Sequence, residues 1–181
     1  DSEEDAYEIF EAVNARGVEL SIADLLKNLI FKKITSTKNI KQEDILNKWL
    51  QISENIEETG TDLARFIRYF WISKHSFVTE KKLFKEIKKS ISNYEEFLDE
   101  LVNSSEWYRR IYSVQEEDWT EIKEGYKICS YLKGLRMMNV SQCYVLFLSI
   151  LRNMDKIGTN PKIIFEAIEK FTYLYSLCSH K

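Results

Sequence analysis

The 181-residue sequence holds a single proline and only five glycines. A β-sandwich or barrel built on many tight turns draws on more of both, and a Rossmann-type phosphate loop needs clustered glycines, so the composition argues against these architectures. Histidine occurs twice, at His75 and His180. Neither belongs to an H-E-x-x-H or H-x-x-x-H pair, and no cysteine stands at zinc-ligand spacing, so no metal site is expected. The three cysteines, Cys129, Cys143 and Cys178, are odd in number and scattered. They encode no closed disulfide set and read as small core hydrophobes in a reducing, cytoplasmic setting, with a reactive thiol as the other reading. No run reaches the roughly 18 apolar residues of a membrane span. The most apolar stretch, Cys143 to Leu151, reads as a buried helix, and no signal peptide is visible at the start. Charge of one sign is missing too: 26 basic and 29 acidic side chains leave a net charge of -3. Binding to nucleic acid through bulk charge is thereby disfavoured, whereas a local basic face is not.

What is present is helical. Hydrophobic residues make up 44% of the chain, aromatics 13% and charged residues 30%, the profile of a folded globule rather than a disordered chain. At this length roughly 70% of the unfolded chain's surface is buried on folding, so a core needs no disulfide or metal. Apolar residues recur at helical spacing almost throughout. Ala6, Ile9, Phe10 and Val13 mark a first helix from about Glu3 to Ala15, closed at Gly17. Ser21 is expected to cap a second helix with the face Leu25, Leu26, Leu29, Ile30 and Ile34, with Asp24 as reciprocal acceptor. Ile45, Leu46, Trp49, Ile52 and Ile56 form the face of a third, and Thr61 is expected to cap a fourth carrying Phe66, Ile67, Phe70 and Trp71. A basic fifth begins at Thr79, and Asn93 caps a sixth. A seventh, from about Trp119 to Met137, is expected to bury Ile122, Tyr126, Cys129 and Leu132. An eighth spans about Ser141 to Met154. Asn160-Pro161 opens a ninth that presents Ile164, Ile168, Phe171, Leu174, Tyr175 and Cys178. The fold predicted is an all-α bundle of about nine helices, one domain over residues 1–181. Because residue 1 is Asp and lies almost inside a helix, the expectation is a piece of a longer protein.

Chemistry-bearing motifs are few. There is no G-x-S-x-G, Walker or Gly-rich phosphate motif. Glu57-Glu58 and Glu116-Glu117-Asp118 are sequence neighbours that point about 100° apart on a helix, and they read as solvated surface. Lys81, Lys82, Lys85, Lys88 and Lys89 form a basic run in which positions 81, 85, 88 and 89 share a face that suits phosphates, or simply water. Arg65 and Arg68 lie one helix earlier, and Trp107, Tyr108, Arg109 and Arg110 mix aromatics with cations as base-stacking surfaces do.

The stretch from Tyr7 to Asn28 reads as helix, glycine turn, short extended link and capped helix. Asn14 offers a donor and an acceptor, Arg16 a planar fork of donors, and Gly17 a close backbone approach. On the next helix Asp24 and Asn28 share one face, with Lys27 beside Asp24. A plain helix-helix corner in which Arg16 pairs with Asp24 explains the same residues.

The pattern Phe10-Glu11-x-x-Asn14-x-Arg16-Gly17-x-x-Leu20-Ser21-x-x-Asp24-Leu25-x-Lys27-Asn28 resembles the signature of domain-of-unknown-function family 262. That family includes the ParB-like part of GmrSD-type modification-dependent restriction enzymes. The likeness continues through Arg68-Tyr69-Phe70-Trp71, Leu83-Phe84-Lys85-Glu86-Ile87-Lys88 and Ile168-Glu169-Lys170-Phe171, mainly as apolar spacing. The resemblance implies an upstream ParB-like domain with an Asp-Gly-Gln-Gln-Arg motif for nucleoside triphosphate hydrolysis, and a downstream nuclease acting on modified DNA; neither motif set occurs in this sequence. It implies that Asn14, Arg16 and Gly17, supported by Asp24 and Lys27, complete a corner of a nucleotide site. It also implies a role in phage defence, bridging the NTPase and nuclease parts. This stretch would need no cofactor of its own and be catalytically inert, while the parent protein would use a nucleoside triphosphate with a divalent metal. DNA is then a partner for Lys81, Lys85, Lys88 and Lys89, and no membrane is involved. The competing expectation is a helical protein-interaction module that touches neither nucleotide nor DNA.

Overall fold

The computed structural model describes residues 21–37, 42–138, 140 and 143–179. Among them are eight α-helices, two short 3-10 turns and no strand, so the all-α class holds. The helices are α1 (Ile22–Thr37), α2 (Gln42–Glu57), α3 (Leu63–Lys74), α4 (Glu80–Ser90), α5 (Tyr94–Ser113), α6 (Gly125–Met137), α7 (Tyr144–Arg152) and α8 (Pro161–Ser179). The 3-10 turns are Glu116–Trp119 and Met154–Lys156. The expected helix from Glu3 to Ala15 lies outside the described residues.

Local chemistry sets most of the boundaries. The Ser21 hydroxyl accepts the backbone N–H of Ala23 at 3.1 Å and of Asp24 at 3.3 Å, capping α1. Asn93 caps α5 by accepting the Glu96 N–H at 3.3 Å. Three helices differ from expectation in their bounds. Asp62, not Thr61, caps α3, its carboxylate accepting the Arg65 N–H at 3.1 Å. The charged acceptor binds the exposed N–H groups more strongly than a hydroxyl does, and the Thr61 hydroxyl instead lies 3.3 Å from that of Tyr108. Helix α6 starts at Gly125 rather than Trp119, because Trp119 ends a 3-10 turn and Glu124 adopts a left-handed conformation with φ 58°. Helix α7 likewise runs only from Tyr144 to Arg152.

The core gathers around α5, which packs on α1, α2, α3 and α7. Helices α2 and α5 run in the same direction. Lys48 pairs with Asp99 near their starts, and the Asn55 amide donates to the Ser105 hydroxyl at 3.0 Å one to two turns later. Helix α7 is tied in through Arg152. Its guanidinium stands 4.8 Å over the Phe70 ring and donates to Ser73 Oγ at 3.1 Å and to Glu100 at 3.4 Å. Glu100 also accepts from Lys74, so one carboxylate links α3, α5 and α7. Burial lowers the Arg152 pKa, opposed by the Glu100 charge.

Helices α6 and α8 form a second, parallel pair. Glu124, just before α6, binds Asn160 at 2.9 Å and Lys162 at 3.5 Å at the start of α8, whereas Gly134 near the end of α6 faces Glu169. Phe147 and Phe165 stack at 4.6 Å and seat α8 on α7. Since Gly134 lies opposite Glu169, α8 outruns α6 by about two turns. On that overhang Tyr173, Leu174 and Leu177 are each more than half exposed, as is Phe171 at its base.

Several expected core residues are therefore not core. Leu174, Tyr175 and Cys178 are exposed because α6 ends before reaching them. Phe171, on the same expected face, is exposed as well. Leu46 and Tyr126 are exposed on α2 and α6, at the edges of stripes drawn too wide. Of the cysteines, Cys129 is buried and Cys143 half-buried. No helix among the described residues is long and apolar enough to cross a membrane.

Candidate nucleic-acid interface

Helix α4 buries Leu83, Phe84 and Ile87, three residues on one arc of its surface. Helical geometry then turns Lys81, Lys82, Lys85 and Lys89 outward, and all four are exposed. Lys88 sits at the edge of the buried arc, beside Phe84, and is half-buried. The four expected DNA-contacting lysines, Lys81, Lys85, Lys88 and Lys89, thus do lie along one side of one helix, with Lys82 added to them.

The helix is joined to α3 by Ser76 to Thr79, and this link forms one wall of a cleft of about 480 Å³ lined by Trp71, His75, Phe77, Val78, Lys82 and Glu86, among others. Phe77 is 72% exposed although it is a large apolar side chain. It is held there by Arg68, whose guanidinium lies 5.2 Å over the ring and whose Nε donates to the Val78 carbonyl at 2.9 Å. The His75 ring stacks on Trp71 at 4.0 Å and 25°. Burial against Trp71, followed by the nearby Lys74 charge, pulls the His75 pKa below its ordinary 6.5. The ring is therefore a neutral aromatic surface at pH 7. Thr79 occupies the N-cap position of α4 without a side-chain cap bond, so the amide-rich, positive end of the helix opens beside the cleft.

The arrangement offers two chemistries side by side: exposed ammonium groups and a helix N-terminus for phosphate, and aromatic faces for a planar group. Among the described residues no cluster of three or more His, Cys, Asp or Glu is suited to a metal.

The other predicted site residues fall elsewhere. Asp24 is exposed in the first turn of α1, and Lys27, one turn on, is half-buried. Neither lines the cleft beside α4. Asn14, Arg16 and Gly17 lie outside the described residues. The Trp107-to-Arg110 segment is also not an open stacking surface. Tyr108 is buried, Arg109 grips Asp118 at 2.9 and 3.0 Å, and Arg110 lies over the Trp107 ring while pairing with Glu106.

Sequence reasoning missed Phe77 and His75 as site residues. Helical periodicity carries no information about a link, and the only signal was an aromatic residue set among polar ones in Ser73-Lys74-His75-Ser76-Phe77. No protein-family model matches this chain, and no curated protein or solved structure is significantly similar to it.

Proposed function

We propose that this chain is a helical module that contacts nucleic acid through α4, serving within a family 262-like defence protein and performing no chemistry by itself. The observation that carries the reading is the row of exposed lysines on α4 beside an aromatic cleft and an uncapped helix N-terminus. A solvated helix face explains the lysines alone, but not an exposed phenylalanine pinned by an arginine next to them. The net charge of -3 makes the contact local: three or four lysines, rather than the whole surface, meet the phosphates. Asp24 and Lys27 remain candidates for supporting a nucleotide site formed together with Asn14, Arg16 and Gly17, in line with the resemblance in the first 28 residues.

Fluorescence anisotropy of labelled oligonucleotides tests the reading. Binding is expected at low salt, with the logarithm of affinity falling against that of salt at a slope of about -2 to -3 for three phosphate contacts. Lys85→Glu combined with Lys89→Glu removes most of the binding without a change in thermal stability. No binding at about 50 mM salt overturns the proposal. Nucleoside triphosphate hydrolysis or DNA cleavage by the chain alone overturns its non-catalytic part.

A second reading, a protein-interaction module, is favoured by the apolar overhang of α8. Contiguous exposed apolar surface of this kind marks protein contacts more often than nucleic-acid contacts.

A further inference from the structure

Exposed lysines alone do not distinguish duplex from single strand, because both carry phosphates. The cleft beside them does. Phe77 presents an aromatic ring that is 72% exposed, and the guanidinium of Arg68 lies against it. In a duplex the bases are stacked on one another, and their faces are closed to such a ring; only an unpaired base has a free face. The His75–Trp71 stack forms another part of the same cleft, and its neutral imidazole does not compete for phosphate. The cleft volume of about 480 Å³ falls in the range that small planar ligands occupy. Lys82 lines the cleft and also stands on the exposed basic side of α4, so a backbone running along Lys82, Lys85 and Lys89 passes its mouth. Glu86, half-buried in the cleft wall, is an acceptor that a base's exocyclic amine can meet and a phosphate cannot.

We infer that the substrate class of this surface is single-stranded nucleic acid, with one unpaired base stacked on Phe77 and its flanking phosphates on Lys82, Lys85 and Lys89. The inference rests on the nucleic-acid reading above and adds what that reading leaves open. Each part has its own role. The lysines supply affinity that is blind to strandedness and falls with salt. The aromatic cleft supplies the preference. Arg68 holds Phe77 in place through the Val78 carbonyl and adds a cation to the stack.

The experiment compares an unstructured single-stranded oligonucleotide of about 12 residues, long enough to span a single-strand site, with a duplex of the same sequence at one fixed salt concentration. The single strand is expected to bind more tightly. Stacking on one aromatic contributes about 1–3 kcal/mol per base, so Phe77→Ala should weaken single-strand binding about 5- to 150-fold. The same variant leaves duplex affinity and the salt slope of both substrates unchanged. Phe77→Trp preserves the preference, which separates stacking from a loss of folding. Lys85→Glu with Lys89→Glu weakens both substrates alike. Equal affinity for both substrates, or a Phe77→Ala effect that is the same on both, overturns the inference while leaving the nucleic-acid reading standing. Absence of any binding overturns both.

Discussion

The carbonyl of Trp119 fills the space in which a Cβ on Gly125 would stand. Gly125 opens α6, and its N–H donates to the Ile122 carbonyl at 2.8 Å, so the turn that precedes the helix closes tightly on itself. Trp119 is fully buried, which prevents that turn from shifting to make room.

Gly125→Ala is therefore destabilising by about 1–3 kcal/mol, the usual cost of overpacking a site that cannot relax. Gly134→Ala, in the same helix, behaves oppositely. The group that its Cβ would meet is the Glu169 carboxylate, the far end of a flexible side chain that can swing toward solvent. Replacing a mid-helix glycine then gains about 0.5–1 kcal/mol. Thermal or urea melts of the two variants should move in opposite directions.

Phe165 is the fully buried residue of α8, stacked on Phe147 of α7. Phe165→Ala should cost about 3–5 kcal/mol in chemical denaturation. It should also loosen α8 from α7, seen as a protease cut within residues 161–179 before the remainder is degraded.

Acid destabilises the fold through His75. The unfolded chain takes up a proton there near pH 6.5, while the folded one resists it until lower pH because the ring, stacked on Trp71, is partly shielded from water and lies near the Lys74 charge. The His75 contribution is thus complete above pH 6.5 and is lost as pH falls from it through the lower folded-state value. His75→Gln flattens this part of a stability-pH profile measured between pH 7.5 and 5, the window around an unperturbed histidine.

The overhang of α8 can be made polar at little cost. Phe171→Glu with Leu174→Glu replaces residues that are 69% and 60% exposed, and stability should change by no more than about 0.5 kcal/mol for each. Binding of a hydrophobic dye and concentration-dependent association, measured by light scattering, should both fall. An unchanged dye signal refutes the view that this segment is the main apolar patch.

How much of this was legible in the sequence varies by element. Helix α4 was largely so, since Leu83, Phe84 and Ile87 leave the lysines one side to occupy, although Lys88 is half-buried and Lys82 joins the exposed ones. The start of α5 at Asn93 and the start of α8 at Pro161 followed from capping and proline chemistry. The beginning of α6 was not legible, because it depends on a clash between Gly125 and a backbone carbonyl six residues away. Helix α8 misled for a related reason. Phe171, Leu174, Tyr175 and Cys178 have a core-like spacing, but whether a stripe is covered depends on where the neighbouring helix stops. Phe77 carries the candidate site and sits in a link, where no period exists to reveal it.

The like-directed pairing of α6 and α8 bears on how the chain assembles. Two consecutive helices can zip together locally as a hairpin, but two that run the same way cannot. The chain must first travel back along the molecule, between Met137 and Pro161, before α8 can lie beside α6 in the same sense. The contact between α6 and α8 is thus non-local in sequence and lies at the margin of the core, and the amide hydrogens of this pair should exchange with solvent sooner than those at the centre of α5.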